Sequence, residues 1–490
     1  MSTNVNNEVK ERLEFRGGIW MSLIPLLVFV VFCVLFFVVF KVFEMEALCM
    51  GGALALIVGS LLSKNWGKYW DSVVSGMSDN TMNTLALILL VVGIFGKLMT
   101  RGGVAQGFVW LGDLMGLSGG MFVVFTFVAT CIIATATGTS IGTLFSAFPI
   151  LYPSGILLGA NPLFLAGAIL SGAIFGDNIG PISDTTIASA ASQHYTKKEG
   201  AADIAGVVGS RLRYALAGGL LACVGFYIFG NGNSLDPETA RTLLEANINP
   251  KGLIMLIPVV ILLFVAFYKR NIFTAITWGI GSGIVIGIAA GILTFSDILS
   301  VQDGALSGFA IDGIKNMLGT VGYLYMVAGI MGILRESGML DLIVKKLLNS
   351  KLNQTVIGSE LIMGFGQMIC CVALGAANGP AIIMYGPIAD EIGQDKKLHP
   401  YRRANMLDGF ASTLPVLIPF TSSFVFIVIT IIDGLMADYS FIEKINPISM
   451  SYATLHSVFL FVVLIFSVLV GWGRKYEGKD GEPVNKIEQI

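Results

Sequence analysis

Long runs free of Asp, Glu, Lys and Arg alternate along the chain with short polar or charged stretches. Runs at 19–40, 47–63, 80–96, 214–235, 252–268, 271–296 and 316–334 each fit one helix across a hydrocarbon core that takes about 20 apolar residues. Two further runs, 361–389 and 409–432, are long or oddly punctuated, and 445–473 closes the series. The longest, 114–176, has 63 residues without a formal charge and must hold two crossings and most of a third. Helices are predicted there at 119–137, 140–158 and 162–193, the last broken between Asp177 and Asp184. Its hydroxyls, glycines and prolines at membrane depth are tolerated where broken helices line a cavity.

Composition agrees with this pattern. Of 490 residues, 55% are hydrophobic and 13% charged, against about 25% charged in soluble domains; a soluble globule is excluded. A net charge of −2 leaves no basic footprint for nucleic acid. The six cysteines form no CxxC pair and have no histidine at ligand spacing, so they read as small buried hydrophobes rather than a disulfide framework or zinc site. The polar opening through Arg16 precedes an apolar run with no small-residue cleavage site, which predicts a retained first span. Five phenylalanines in that span, Phe29, Phe32, Phe36, Phe37 and Phe40, are expected to face lipid.

With a cytoplasmic N-terminus and 14 crossings, the basic clusters at Lys64/Lys68, Lys197/Lys198 with Arg211/Arg213, Lys269/Arg270, 335–351, Lys396/Lys397 with Arg402/Arg403, and Arg474/Lys475 fall on one side. The acidic loops at Asp236/Glu238/Glu245, Asp297/Asp303/Asp312 and Asp433/Asp438 fall on the other. Lys97 and Arg101 are the exception.

A repeat is visible in the prolines. Pro149, Pro162 and Pro181 are spaced by 13 and 19 residues, as are Pro387, Pro400 and Pro419, at an offset of 238. The 92–96 and 328–332 segments correspond at an offset of 236, and Pro25 and Pro258 at 233. Seven crossings separate the members of each pair, and an odd number inverts the second half. The expected fold class is therefore an all-α polytopic membrane protein of about 14 spans in two inverted-topology repeats with discontinuous helices at the centre. Its parts are a cytoplasmic segment (1–18), a first repeat (19–235), an external linker (236–251), a second repeat (252–473) and a cytoplasmic tail (474–490).

The chemistry concentrates at the breaks. Asp177, Asn178, Ser183, Asp184, Thr185 and Thr186 surround Gly180-Pro181, where the backbone can unwind and a carbonyl is freed. Hard oxygen donors of this kind suit Na⁺ or a proton, and an intramembrane carboxylate is costly enough to imply function. At the same offset the second half keeps hydroxyls, Thr413, Thr421, Ser422 and Ser423, and drops both acids. The earlier Gly-rich breaks add Thr137, Thr139 and Asn378 as candidates. Asp408 and Asn405 lie one turn from Arg402 and Arg403, so a membrane-surface salt bridge and a pathway role both stay open. Glu360 is expected to snorkel to the surface, His194 and His399 to lie in loops, and His456 at a helix end. No intramembrane arginine is seen to pair with a dicarboxylate.

The run from Gly176 to Thr186 resembles the signature of the NhaC family of Na⁺/H⁺ antiporters, with Gly180 standing where that pattern has Ser. The resemblance implies a bacterial inner-membrane secondary transporter without enzymatic activity or cofactor, its termini cytoplasmic. It also implies Na⁺ held at Asp177, Ser183, Asp184 and Thr185, with Thr186 beside them. Burial raises a carboxylate's pKa toward physiological pH, so Na⁺ and H⁺ would compete for the acids, without ATP, in keeping with the lack of a GxxxxGK[ST] loop. The alternative cargo is a small organic acid, malate- or lactate-like, or an amino acid. Expected partners are Na⁺, H⁺, that organic solute and the lipid bilayer, with a homodimer left open. An intramembrane protease is disfavoured, because position 174 is Ile where GxGD needs Gly, and a channel fits paired breaks less well.

Overall fold

In the computed structural model the described residues are 12–40, 45–78, 80–181, 183–232, 242, 249–269, 271–302 and 304–486. The acidic loop residues Asp236, Glu238 and Glu245, together with Arg270 and Asp303, lie outside them.

The chain is almost entirely helical. The first half runs through α1 (Ile24–Val34), α2 (Met45–Leu62), α3 (Trp66–Met77), α4 (Asn80–Arg101), α5 (Val104–Leu114), α6 (Gly119–Thr137), α7 (Ser140–Leu157), α8 (Pro162–Ile179), α9 (Asp184–Ala191) and α10 (Ile204–Phe229). The second continues through α11 (Leu256–Lys269), α12 (Ile272–Ala289), α13 (Phe309–Glu336), α14 (Met339–Leu348), α15 (Val356–Ala373), α16 (Asn378–Asp395), α17 (Pro400–Ala411), α18 (Leu414–Leu417), α19 (Ser423–Met436), α20 (Pro447–Ala453) and α21 (Leu455–Val470). Two small hairpins, β1 (Ser300–Gln302) with β2 (Ala305–Ser307) and β3 (Tyr476–Glu477) with β4 (Pro483–Val484), complete it.

Among the described residues eight helices are long and apolar enough to cross a membrane, and α20 with α21, bent by 51°, make a ninth if taken together. Four shorter apolar helices accompany them, at Ile19–Val34, Pro250–Val265, Phe273–Ala289 and Ser423–Met436. The protein is a multi-pass membrane protein. The charge-free runs do not predict the short helices α3 and α5.

Local chemistry places the central breaks. α6 ends where Gly138 adopts φ +65°, a left-handed conformation that costs glycine little. Thr139 then caps α7 by accepting from the Gly142 N–H. Asn161 caps α8, accepting from Leu163 and Phe164 at 3.0 and 3.3 Å, with Pro162 in the first turn. α8 stops at Gly180-Pro181, since proline has no N–H to continue the ladder, and Ser183 precedes α9. The predicted helices at 119–137, 140–158 and 162–193 thus match α6, α7 and the broken α8–α9 pair.

Packing sorts these helices by depth. In α7 89% of the membrane-length window is buried within the protein, in Pro162–Ala191 78%, but in α10 only 39%. α7, α8 and α9 form the centre and α10 part of the periphery. α6 lies against α8 through Gly172 and Gly176, where a Cβ would stand 2.7 Å from the Phe127 carbonyl and 2.4 Å from that of Cys131. Small residues permit that approach.

Several expectations are corrected by this packing. In the first span Phe29 and Phe36 are buried, Phe29 lying 6.1 Å from the Tyr323 ring; Phe32 is half-buried and Phe40 exposed, while the Phe37 side chain lies outside the described ones. One face of a helix at a bundle's edge is always turned inward. Lys97, the exception to the charge rule, is buried and bound to Asp438 at 2.6 Å and to the Gly434 carbonyl at 2.9 Å, so its charge is matched locally. Glu360 does not reach the surface; it is fully buried and held by both Arg402 and Arg474. His399, just before α17, and His456, in the first turn of α21, hold the loop and helix-end positions expected of them; His399 is buried as the cap of α17, and His456 is buried between Phe127 and Phe175. Cys33, Cys131, Cys370 and Cys371 are buried, as expected, while Cys49 and Cys223 are partly so.

Candidate functional site

The four breaks meet around one cavity of about 410 Å³. Gly138 to Gly142 form one wall, the 177–188 segment a second, the start of α16 a third, and Ser423 with Phe424 at the start of α19 a fourth; Met82, Thr84 and Ile88 of α4 complete it. Asp177, in the last turn of α8, presents its carboxylate to the first residue of α7, where the Ser140 hydroxyl donates to it. A helix N-terminus carries partial positive charge, so α7 offers Asp177 both a hydrogen bond and a favourable field.

Of the residues singled out from sequence, Asp177, Ser183, Asp184, Thr185, Thr139, Asn378 and Ser423 line this cavity. The Ser183 and Thr185 hydroxyls lie 3.0 Å apart. Asp184 is exposed, at the start of α9, whereas Asp177 is only partly so. Ser423 donates to the Gly375 carbonyl at 2.8 Å, tying α19 to the α15–α16 break. The Asn378 amide nitrogen reaches the carbonyls of Ala376 and Ala411, at 3.1 and 3.2 Å, in the orientation that satisfies its donors.

The remaining candidates point elsewhere. Thr137 bonds to Thr143 at 3.1 Å and to the Ile133 carbonyl. Thr413 donates to the Phe410 carbonyl and Ser422 caps α19. Thr421 lines a neighbouring small cavity with Tyr323 and Arg335. Asn178, Thr186 and Asp408 turn into a buried cluster behind the site. Ser140 is the cavity residue that sequence reasoning passes over: it stands in the hydroxyl-rich 135–143 run, but its partner lies 37 positions on.

Arg211 organises that cluster. The charge pattern places it among cytoplasmic basic residues, yet it is 1% exposed. Its guanidinium forms an ion pair with Asp408, donates to the Asn178 carbonyl at 2.6 Å, to Thr186 at 3.0 Å and to Ser189 at 3.1 Å, and reaches Asn405 at 3.0 Å. Arg211 is thus a buried arginine whose partner is the protein's own Asp408 rather than a dicarboxylate. Asp408 and Asn405 serve Arg211, while Arg402 pairs with Glu360 and Arg403 with Asp390. The guanidinium takes up a carbonyl freed by the α8 break and joins α8, α9 and α10 to α17.

Similarity to known proteins bears on this site. The profile of the Na⁺/H⁺ antiporter family matches residues 7–197, a stretch that includes Asp177 and Asp184. The Na⁺/H⁺ antiporter NhaC of Alkalihalophilus pseudofirmus is 25% identical over 321 residues, covering 60% of this chain and 66% of that one. Over residues 7–197 the chain is similar to the Na⁺/H⁺ antiporter family. Other relatives carry different names. The malate-2H⁺/Na⁺-lactate antiporter of Bacillus subtilis is 29% identical over 337 residues, 65% of this chain and 69% of that one. The arginine/ornithine antiporter ArcD of Halobacterium salinarum is 25% identical over 412 residues, 80% and 82%.

Proposed function

We propose that the protein is a secondary transporter exchanging Na⁺ for H⁺ by alternating access, with Asp177 as the carboxylate for which the two cations compete. The observation that carries this reading is the Asp177 carboxylate, held by Ser140, on a cavity walled by broken helix ends from both halves of the chain. Ser183, Asp184 and Thr185 supply further hard oxygens on the same wall. When Na⁺ binds, the proton leaves; when the proton returns, Na⁺ is expelled. Only a loaded carrier turns over, so exchange follows without ATP.

An inverted repeat would provide the two alternating conformations. In its support, Ser140–Leu157 and Asn378–Asp395 are offset by 238 positions at both ends. Pro162 and Pro400 open the next helices at the same offset, and each of those helices is interrupted. Fourteen crossings, a bacterial inner membrane and cytoplasmic termini complete the proposal. Cysteines placed at Lys197 and Lys396 should label from the cytoplasmic side only; external labelling of either overturns the sidedness.

A second reading concerns cargo. Helices α7, α9, α16 and α19 all begin at the cavity, at Ser140, Asp184, Asn378 and Ser423, and convergent N-termini favour an anionic group. A space of about 410 Å³ also exceeds what a bare Na⁺ needs and falls within the range of small-molecule pockets. A small carboxylate or amino acid fits these features, and two relatives are named for such solutes.

The deciding experiment is collapse of a pH gradient in sealed vesicles on adding NaCl, with Asp177→Asn and Asp184→Asn beside the intact protein. Loss in both variants supports a two-carboxylate Na⁺/H⁺ site, and loss in Asp177→Asn alone assigns exchange to Asp177. No Na⁺ response from the intact protein, with labelled malate, lactate or an amino acid exchanging instead, selects the second reading.

A further inference from the structure

A second cavity, of about 200 Å³, lies apart from the ion site, between the start of α10, the start of α17 and the segment after α21. Its polar lining comprises Ser210, Arg213, Tyr401, Arg402, Asn405 and Lys475, and none of the described lining residues is a carboxylate. Arg402 of this lining and Arg474 share a single buried acid, Glu360, so that group carries two positive charges against one negative. Arg213 is exposed and Lys475 half-exposed, so both add to that excess. Asn405 donates to Ser210 at 2.7 Å, fixing the hydroxyl in the wall. Gly206, Gly209 and Gly473 complete the lining, and around Gly209 a Cβ would meet nothing within 4 Å.

Beyond Arg213, α10 presents an exposed apolar face. Leu216 and Leu220 follow Arg213 by three and seven positions and so share its helix face, and both are exposed, as are Leu212 and Trp472. A basic pocket with no carboxylate among its described lining residues, at the end of an apolar helix and beside an exposed leucine face, matches a phosphate on an acyl-bearing molecule rather than a free solute. Trp472, next to Gly473, has the amphipathic ring favoured at headgroup level.

We propose that this cavity is the headgroup site of an anionic phospholipid, its phosphate against Arg213 and Lys475 and its acyl chains along Leu216 and Leu220. The bound headgroup abuts Asn405, which also accepts from Arg211, and so steadies the ends of α10 and α17. The site is independent of the cargo, and its test does not use transport.

The test is thermal unfolding of the detergent-purified protein with phosphatidylglycerol, with phosphatidylcholine, or with inorganic phosphate, together with native mass spectrometry of retained lipid. Phosphatidylglycerol should raise the melting temperature by at least about 2 °C and phosphatidylcholine should not. Arg213→Gln with Lys475→Gln should remove that shift and the retained lipid. Gly209→Leu, which fills the cavity, leaves every charge in place and improves helix propensity, should remove both as well while folding normally. Equal stabilisation by both lipids, retention by Gly209→Leu, or a shift produced by inorganic phosphate alone would overturn the assignment.

Discussion

Ser140 has no charge and sits in a run of small hydroxyl residues, yet its direct hydrogen bond to Asp177 places the carboxylate over the cavity. A hydrogen bond to a charged group contributes about 1.5–3 kcal/mol. Ser140→Ala should therefore shift the competition toward H⁺, weakening apparent Na⁺ affinity about tenfold or more, and Ser140→Thr should restore part of it; Na⁺ titration of ΔpH collapse measures both. For one proton displaced per Na⁺, apparent Na⁺ affinity should rise with pH by up to about tenfold per unit. A pH-independent affinity would sink the competition model. Asp177 is legible in the sequence because burying a carboxylate beside Gly-Pro at membrane depth is too costly to persist without a role. Ser140 is not, because nothing in its own neighbourhood separates it from Thr135, Thr137 or Thr139.

At the scale of elements, the breaks are readable in the sequence and the contacts between them are not. Glycine and proline report backbone conformation directly, which is why α6 and α7 begin and end within about a residue of expectation, and α8 begins at the expected residue and stops inside the expected break. Arg211 meets Asp408 across 197 positions, and charge periodicity holds no information at that range. Sequence alone therefore groups Arg211 with Arg213, two residues away but on another face of α10. Removing one member of a buried ion pair costs about 3–5 kcal/mol, because the other is left unpaired. Arg211→Gln should lower thermal stability on that scale and loosen both breaks together. Asp408→Asn combined with it should recover part of the loss, a coupling measured by a double-mutant cycle. Gly172→Leu should be as damaging by another route, since its side chain would enter the backbone of α6.

Across the whole molecule, the charges that look anomalous in sequence prove to be paired inside it: Lys97 with Asp438, Glu360 with two arginines, and Arg403 with Asp390. A rule that counts loop charges cannot see partners brought together by folding. His399 shows a related effect with a measurable pH dependence. Its Nδ1 accepts from the Tyr401 N–H at 3.2 Å, a contact that requires the neutral ring, while its Nε2 donates to the Gly481 carbonyl at 3.1 Å. Burial pushes its pKa from 6.5 down to about 4. The unfolded chain then takes up a proton first, so stability is complete above pH 6.5 and falls as pH drops from there toward about 4. His399→Asn, which can still cap α17 as Asn161 caps α8, should flatten that slope in melting curves taken across the interval.

The stretch that reads in sequence as a polar tail is woven into this same end of the protein. Glu477 accepts from the backbone of Thr196 and Lys197 and from the Thr196 hydroxyl, Arg474 grips Glu360, and the carbonyls of Lys475 and Gly481 both serve His399. A protease cut after Gly473 would strip partners from three separate connections at once. Residues 474–486 act as a clasp, and a fluorescent fusion or affinity handle belongs beyond residue 486, not in place of what precedes it.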